Sequence, residues 1–415
     1  MKKKGYLLFI SSLLAISVNV CPQTAESDTA MYVPDVWEVS LDSLLQVWHI
    51  QHLNQKMEHP AYQQATEMSD SVYIDRLSRL NNIIPMHFDE DVRRYINMYV
   101  NGTKIPYILG IENRYFPIIE QTLDANGLPE ELKYLAIVES ALNPAAVSRM
   151  GASGLWQFMY GTGKLYGLEI NSLIDERRDP ILSTQAACRY MKSLYGIYHD
   201  WLLVLAAYNS GPGTVNKAIR RAGGQNNYWK IQAYLPKETR AYVPLFIAAT
   251  YVMNYYAYHQ IYPVDTGDPI PTDTVMVSQA IHFEQIAAVL NIDLSLIQSL
   301  NPQYKCDIVP GNTKPRPIRL PVLQVYAFVE KETEIANYKK DELFAKYATT
   351  VSLPNGSKEK IIHKVVKGDT FRKLESKYGV SMAQIKKWNN LKSNTLVIGR
   401  KLTIYLDNGG FSVAK

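Results

Sequence analysis

The sequence contains little cysteine, with 3 in 415 residues. They are Cys21, Cys188 and Cys306. Cys21 lies in the N-terminal segment and the other two lie far apart in the chain, so they predict neither a disulfide framework nor a metal cage. We expect Cys188 and Cys306 to be buried side chains without a chemical role.

Motifs for metals and nucleotides are also missing. His49, His52 and His59 lie close together, but no further ligand follows at the spacing of zinc hydrolases, so a solvated helix explains them better than a metal site. The segment "GTGKL" (161–165) lacks the hydroxyl residue and the upstream glycine of a phosphate-binding loop. These stretches therefore predict neither a metal nor a nucleotide.

The chain has few long runs of one charge or of apolar residues. Its net charge is +5, part of which comes from the lysines at 2–4. No basic run is long enough for a nucleic-acid arm, and beyond residue 24 no stretch is long and apolar enough to span a bilayer. We therefore predict no nucleic-acid partner and no transmembrane helix in that part of the chain.

The N-terminal segment (1–24) reads "MKKKGYLLFISSLLAISVNVCPQT". A basic start and a short apolar stretch are typical of a secretory signal peptide, so we expect an exported protein of the periplasm or cell envelope. Two outcomes stay open at Cys21. Lipid attachment would associate the protein with the outer membrane, whereas Val18-Asn19-Val20 lacks the small residues expected before a lipidated cysteine and favours ordinary cleavage.

With 47% hydrophobic and 20% charged residues, the chain is predicted to form two to four folded domains. Amphipathic stretches from about residue 36 to 260 predict a mainly α-helical region, which we divide into an N-terminal extension (25–105) and a larger domain (106–262). The proline- and aspartate-rich segment "YPVDTGDPIPTDT" (262–274) then ends the helical region.

A diverged internal repeat follows this linker. "FEQIAAVLNIDLSLIQSLNP" from Phe283 aligns without gaps on "FRKLESKYGVSMAQIKKWNN" from Phe371. Each copy predicts two short helices between two strands, which gives one β-α-α-β module at 272–322 and a second at 361–406. The segment between them (323–360) is predicted to be a charged, helical connector.

A carboxylate interrupts an apolar helix face in "LPEELKYLAIVESALNPAAVSRMGASGLWQFM" (128–159). The apolar positions that share this face with Glu139 are Leu132, Leu135, Ala136 and Leu142. Asn143-Pro144 is expected to end the helix. Because no Arg or Lys lies one turn away, burial should raise the pKa of Glu139 from about 4.3 toward about 6. A carboxyl that stays protonated near neutral pH can donate a proton to a glycosidic oxygen.

Together with "AAYNSGPGTV" (206–215) and "LPKETRAYV" (235–243), this stretch resembles the catalytic domain of soluble-type lytic murein transglycosylases. The two repeats resemble LysM modules, which grip glycans that contain N-acetylglucosamine. The helical segment "LPEELKYLAIVES" and the N-terminal extension narrow the resemblance to the membrane-bound lytic murein transglycosylase D family. It implies a mainly α fold, with a goose-lysozyme-like helical catalytic domain followed by small β-α-α-β LysM-like modules.

The resemblance implies that Glu139 is the catalytic acid. It further implies substrate contacts from a set of side chains that comprises Ser148, Gln157, Met159, Tyr208, Asn209, Glu238 and Tyr242. The residues themselves leave alternatives open. Ser148 and Gln157 suit sugar binding but could cap a turn, and Met159 could simply pack.

The aromatic and charged candidates have two interpretations each. Tyr208 could hydrogen-bond the carboxyl of Glu139 or the sugar, or it could pack beneath the nearby glycine turn. Trp156 and Tyr160 could stack on sugar rings or belong to the core. Glu238 is expected to form an orienting ion pair with Arg240 rather than to act as a nucleophile.

The second module keeps the segments "VVKGDTFRKL" (365–374) and "LVIG" (396–399) of the resemblance. The resemblance assigns glycan contacts to Gly368, Asp369, Thr370, Val397 and Ile398. The first module has "SQAIHF" (278–283) in place of the Gly-Asp-Thr turn, so its sugar binding stays open.

Glycosidases usually need two carboxylates, and this sequence offers one persuasive acid. The resemblance implies that Glu139 protonates the oxygen between N-acetylmuramic acid and N-acetylglucosamine and then takes the proton of the muramyl C6 hydroxyl, without metal or organic cofactor. We therefore predict a lytic transglycosylase whose partner is the peptidoglycan strand. A hydrolytic muramidase and a non-catalytic peptidoglycan-binding scaffold remain the alternatives.

Overall fold

The computed structural model describes residues 68–148, 150–267, 270–345, 359–366, 369–378, 380, 382–391, 393 and 395–406. The predicted signal peptide with Cys21, the histidines at 49, 52 and 59, and Gly368 lie outside the described residues. Within the described ranges, no helix is long and apolar enough to cross a membrane.

The first part of the described chain is helical, as its periodicity predicts. Its helices are α1 (Asp70–Arg79), α2 (Glu90–Val100), α3 (Ile105–Ala125), α4 (Leu135–Ser140), α5 (Tyr160–Leu165), α6 (Pro180–Tyr198), α7 (Trp201–Ser210), α8 (Pro212–Arg221), α9 (Tyr228–Ile231) and α10 (Lys237–Tyr255). Short 3-10 helices lie at Glu130–Tyr134, Glu176–Arg178, Gln232–Tyr234 and Tyr256–His259.

Helix α10 lies at the centre of this part. Every residue from Ala241 to Met253 is buried, and the helix packs against α2, α4 and α7. A helix that is apolar on all sides must be buried on all sides, because each exposed face would leave apolar surface in water. The burial of α10 therefore holds the first turns of this helix against α4, which carries Glu139.

The helix that carries Glu139 differs from its prediction. The chain forms a 3-10 turn first and then the short helix α4, which ends at Ser140. Ala141 and Leu142 adopt left-handed backbone angles, with φ of 53° and 60°, so the expected stop at Asn143 is wrong. Left-handed residues cost about 1–2 kcal/mol each, and the complete burial of Leu142 offsets part of that cost.

The rest of the described chain forms two small modules. The first contains β1 (Thr272–Val277), β2 (Ala280–His282), α11 (Phe283–Leu290), α12 (Leu294–Leu300), β3 (Ile308–Pro310) and β4 (Arg316–Pro321). The second contains β5 (Glu359–Lys364), α16 (Phe371–Tyr378), α17 (Met382–Trp388) and β6 (Lys401–Leu406). All strand pairs are antiparallel: β1 with β4, β2 with β3, and β5 with β6.

The described part of the connector between the modules, up to residue 345, is helical. It forms α13 (Val322–Glu330), α14 (Glu332–Asn337) and α15 (Lys340–Ala345). Phe328 and Ile335 are fully buried in the core of the first module, so α13 and α14 pack on that module. Cys188 is buried in the helical core as expected, whereas Cys306 is only half-buried.

Matching asparagines confirm that the two modules repeat one design. Asn301 donates from its amide to the carbonyl one turn earlier at 2.9 Å and to the carbonyl of Arg319 at 2.8 Å, and it accepts from the Arg319 N–H at 2.8 Å. Asn389 makes the same three bonds, with Thr403 in place of Arg319. Each asparagine thereby ties the second helix of its module to the last strand, which satisfies buried backbone groups.

Candidate active site

Glu139 lies in the last turn of α4 and is partly buried. Burial raises the pKa of its carboxyl from 4.5 to about 7, in the direction that the sequence predicted. Tyr242, on α10, donates a hydrogen bond to Oε1 of Glu139. This bond favours the ionised form and lowers the pKa, although burial outweighs it. The carboxyl is therefore poised between its two protonation states near neutral pH.

Tyr208 lies beside the carboxyl but does not bond it. Its hydroxyl donates to the backbone carbonyl of Trp156 at 2.8 Å. Burial and the charge of the nearby Glu139 raise the pKa of Tyr208 well above its usual value. Of the alternatives for Tyr208, the hydrogen bond to the carboxyl of Glu139 is therefore wrong, because Tyr242 makes that bond, and contact of Tyr208 with a sugar stays a prediction.

The glycine-rich turn next to the carboxyl is held by its own hydrogen bonds. The backbones of Ser153 and Phe158 exchange two hydrogen bonds of 3.1 Å. Gln157 has a positive φ of 45°, and its Nε2 donates to the carbonyls of Gly154 at 2.9 Å and Ala146 at 3.3 Å. Among the described residues its Oε1 accepts no hydrogen bond. The amide thus caps the turn at one end and leaves the other end for a ligand.

Ser148 also serves this turn. Its Oγ accepts a hydrogen bond from the N–H of Ala152 at 3.0 Å, which is the capping role that the sequence left open. Because a hydroxyl both donates and accepts, the proton of Ser148 can still reach a ligand. Met159 is half-buried and directly precedes α5, and Tyr160 begins that helix, also half-buried.

Trp156 belongs to the core. Its side chain is completely buried, and its Nε1 donates to Oγ1 of Thr184 at 2.9 Å. A ring that has no exposed face cannot stack on a sugar, so the packing interpretation is correct and the stacking interpretation is wrong.

Asn209 and Glu238 lie where α7 meets α10. Oδ1 of Asn209 accepts a hydrogen bond from Oγ1 of Thr239 at 2.9 Å, which joins the end of one helix to the start of the other. Glu238 is exposed in the first turn of α10, where a carboxylate complements the helix dipole. In the described part of the chain no ion pair joins it to Arg240, because residues two apart on a helix face different sides. The predicted ion pair is wrong.

Sequence reasoning missed Arg177. It is buried and forms a two-pronged ion pair with Asp175, with N–O distances of 2.8 and 2.7 Å. Its Nη1 donates to the carbonyls of Gly151 at 2.7 Å and Phe158 at 3.0 Å, at the two ends of the glycine-rich turn. In the sequence "DERRDP" (175–180) nothing distinguishes this arginine from a solvated one, since only burial reveals its role.

The second module shapes its entry turn with polar bonds. Oδ2 of Asp369 accepts from the N–H of Val366 and lies 2.8 Å from Nε2 of His363. Nδ1 of His363 lies 2.8 Å from the hydroxyl of Tyr378. Asp369, which the resemblance assigns to glycan binding, is thus held by Val366 and His363.

Three more of the residues assigned to glycan binding, Thr370, Val397 and Ile398, are described. Oγ1 of Thr370 accepts from the N–H of Lys373 at 3.2 Å and caps α16. Val397 and Ile398 are 60% and 65% exposed. An exposed pair of aliphatic side chains is a surface on which a sugar ring can pack.

Three regions of the chain match known families. Residues 116–231 match the Transglycosylase SLT domain. Residues 271–337 match the LysM-like domain of lytic transglycosylase MltD, and residues 363–404 match the LysM domain.

Individual proteins are similar over parts of the chain. Membrane-bound lytic murein transglycosylase D of Escherichia coli (strain K12) is 32% identical over 281 residues, which are 67% of this chain and 60% of that protein. Soluble lytic murein transglycosylase of the same strain is 31% identical over 128 residues, which are 29% of this chain and 20% of that protein. The solved 70-kDa soluble lytic transglycosylase from Escherichia coli overlaps 54% of this chain and 44% of its own, at 20% identity and a TM-score of 0.31.

The match therefore spans 60% of the length of the first of these relatives. In this chain, Glu139 lies within the helical SLT domain, and two modules of the LysM type follow it. The chain thus carries a Transglycosylase SLT domain, an MltD LysM-like domain and a LysM domain, in this order.

Proposed function

We propose that the protein cleaves the β-1,4 bond between N-acetylmuramic acid and N-acetylglucosamine in peptidoglycan without using water. The observation that carries this proposal is the setting of Glu139, whose partly buried carboxyl accepts a hydrogen bond from Tyr242. Burial raises the pKa of this carboxyl to about 7 against the lowering effect of the bond from Tyr242, and among the described residues no second carboxylate or cation contributes to the shift. A lone carboxyl of this kind suits a mechanism in which one group serves as acid and then as base.

The reaction proceeds in two steps. Protonated Glu139 donates its proton to the glycosidic oxygen as the bond from muramyl C1 breaks, and the N-acetylglucosamine side leaves with a new hydroxyl. The 2-acetamido group of the substrate stabilises C1. Glu139, now ionised, takes the proton of the muramyl C6 hydroxyl, whose oxygen bonds C1 and closes the 1,6-anhydro ring. Attack within one sugar gains a high effective molarity.

Substrate contacts come from the turn and from the helices around Glu139. We assign them to Ser148, Gln157, Met159, Tyr208, Asn209, Glu238 and Tyr242. The unengaged Oε1 of Gln157 and the hydroxyl proton of Ser148 are the groups best suited to bind an acetamido group or sugar hydroxyls. The second module holds N-acetylglucosamine-containing strands through its entry turn and through Val397 and Ile398.

The protein acts in the cell envelope in this proposal, exported by its N-terminal segment. Lipid attachment at Cys21 would place it at the outer membrane. Labelling of the wild-type protein with radioactive palmitate, and loss of the label in Cys21→Ser, would support attachment. An unlabelled wild-type protein would support ordinary cleavage.

Digestion of purified sacculi tests the reaction. The released muropeptides should carry 1,6-anhydro-N-acetylmuramic acid, be lighter by one water than hydrolysed products, and resist borohydride reduction because they have no reducing end. Reducible muramic acid ends would instead identify a hydrolytic muramidase. A protein that binds sacculi and releases nothing would be a scaffold.

A further inference from the structure

The first module is docked on the helical domain by an ion pair between a buried arginine and a half-buried glutamate. Arg316, at the start of β4, makes two hydrogen bonds of 2.9 and 2.7 Å to the carboxylate of Glu169. Lys314 lies 3.0 Å from the same carboxylate. Burial alone would raise the pKa of Glu169, but the bonds from Arg316 and Lys314 outweigh it and lower that pKa. A two-pronged pair of this kind fixes orientation as well as distance.

Backbone contacts extend this interface. Asp175 donates its N–H to the carbonyl of Gln303 at 2.8 Å, and Lys305 donates its N–H to the carbonyl of Leu173 at 2.8 Å. Between these bonds, Ile174 is almost completely buried and belongs to the hydrophobic core of the first module. The helical domain thus contributes a residue to the core of the module, so the segment 169–178 is shared by both.

The same segment supports the turn beside Glu139. Arg177 holds the carbonyls of Gly151 and Phe158 at both ends of that turn. The two backbones also touch directly, since a Cβ added at Gly154 would lie 1.7 Å from the carbonyl oxygen of Arg177. Gln157 is part of this glycine-rich turn. A continuous series of polar and packing contacts therefore leads from the module to the candidate substrate groups.

The surface that the second module is expected to use for glycan binding has no exposed equivalent in the first module. Extended in both directions, the gapless alignment places 280–282 opposite Gly368-Asp369-Thr370 and 309–310 opposite Val397-Ile398. In the first module these two segments pair with each other as β2 and β3. Ile281 and Val309 are fully buried, whereas Val397 is 60% exposed. The first module offers no counterpart of the exposed aliphatic pair.

We propose that the first module is a positioning element of the catalytic site and not a glycan anchor. It holds the segment 169–178 through Arg316 and the burial of Ile174, and Arg177 transmits this order to the turn that carries Gln157. Arg316 and Arg177 are positioning residues, because they act on the substrate through the turn. The inference rests on the proposed function in that Gln157 belongs to the substrate site.

Arg316→Gln in the full chain tests the proposal with two separate measurements. On soluble glycan strands kcat should fall about 5- to 50-fold, because small misplacements of substrate groups cost up to about 10²-fold in rate. Pull-down on insoluble sacculi should be unchanged, because the second module is untouched. Arg316→Lys, which keeps the charge but loses the two-pronged geometry, should lose less activity and covers the case that Arg316→Gln does not fold.

A double variant distinguishes a positioning effect of Arg316 from a general destabilisation of the helical domain. When Arg316→Gln is combined with Gln157→Ala, the loss in kcat should be smaller than the product of the two single losses, because both act through one turn. Arg93→Gln is the matched control, since Arg93 pairs with Asp70 at 3.3 Å on the surface of the helical domain. It should leave kcat and pull-down unchanged.

Two results would overturn the proposal. Weaker pull-down with unchanged kcat would make the first module a glycan anchor, and unchanged values of both would make the interface passive. The proposed function is tested separately, by the chemistry of the ends that the wild-type protein releases. If the wild-type protein released reducible ends, the comparison of kcat between wild type and Arg316→Gln would still report on the turn.

Discussion

Tyr242 donates a hydrogen bond to the carboxyl of Glu139, although 103 residues separate them in the sequence. The bond opposes burial: it favours the ionised carboxylate, whereas burial favours the protonated acid. In the proposed mechanism, the pKa of about 7 that results suits a carboxyl that serves first as acid and then as base near neutral pH. The pairing of α4 with α10 thus sets the chemistry of the site.

Glu139→Gln should leave the fold intact and abolish the release of muropeptides. The amide keeps the shape and can still accept the bond from Tyr242, but it has no proton to donate to the glycosidic oxygen. General acid–base catalysis contributes about 10²–10⁴-fold, and one group serves both steps here. Turbidity clearing of sacculi measures the loss, and Glu130→Gln, at an exposed carboxylate, should clear at the wild-type rate. Near wild-type clearing by folded Glu139→Gln would disprove the assignment.

The rate should fall as the pH rises through about 7. The first step needs protonated Glu139, and the protonated fraction decreases above the pKa of about 7, so kcat/KM should drop about tenfold per pH unit on the alkaline side. Tyr242→Phe removes a bond that favours the charged form, so the pKa of Glu139 should rise and the alkaline limb should move to higher pH. Initial rates on soluble strands between pH 5 and 9 measure the alkaline limb of the wild type and that of Tyr242→Phe. A limb that stays in place or moves to lower pH in Tyr242→Phe would contradict this role of the tyrosine.

Gly154→Ala should destabilise the helical domain by about 3 kcal/mol or more. Gly154 has a φ of 87°, and a Cβ there would lie 1.7 Å from the carbonyl oxygen of Arg177, so the backbone would have to move. Gly161→Ala is the matched control. It lies in α5 with nothing within 4 Å of an added Cβ, and alanine there should stabilise the helix by about 0.5–1 kcal/mol. Thermal unfolding of both variants measures the difference in stability. Equal melting temperatures would show that the backbone at Gly154 can move away from Arg177 at little cost.

Ile398→Ser should weaken binding to sacculi about tenfold without changing kcat on soluble strands. The substitution removes aliphatic surface that is 65% exposed and that a bound sugar would cover, and burial of such a side chain is worth about 1.5–3 kcal/mol. Met276→Ser, at a residue 55% exposed in the first module, is the control and should bind like the wild type. Unchanged binding by Ile398→Ser would remove this pair from the glycan surface.

The two repeated modules and the helices of the first part of the chain could be predicted because both follow from local periodicity. Apolar residues at spacings of three and four indicated the helices, and aligned apolar positions indicated the two modules. The unusual acid was visible in the same way, because Glu139 occupies a position of the apolar stripe. The end of its helix was not visible, since the burial of Leu142 stabilises a left-handed backbone that local preferences disfavour.

By itself, the sequence determined the elements, the modules and the position of the acid, since each depends on residues that are near neighbours in the chain. The tertiary structure decided the partners. It brought Tyr242 rather than Tyr208 to the carboxyl, buried Trp156 against Thr184, and placed Arg177 under the glycine-rich turn. A side-chain hydrogen bond needs its atoms within about 3 Å at the right angle, and between residues far apart in the chain only the packing of whole helices sets that geometry.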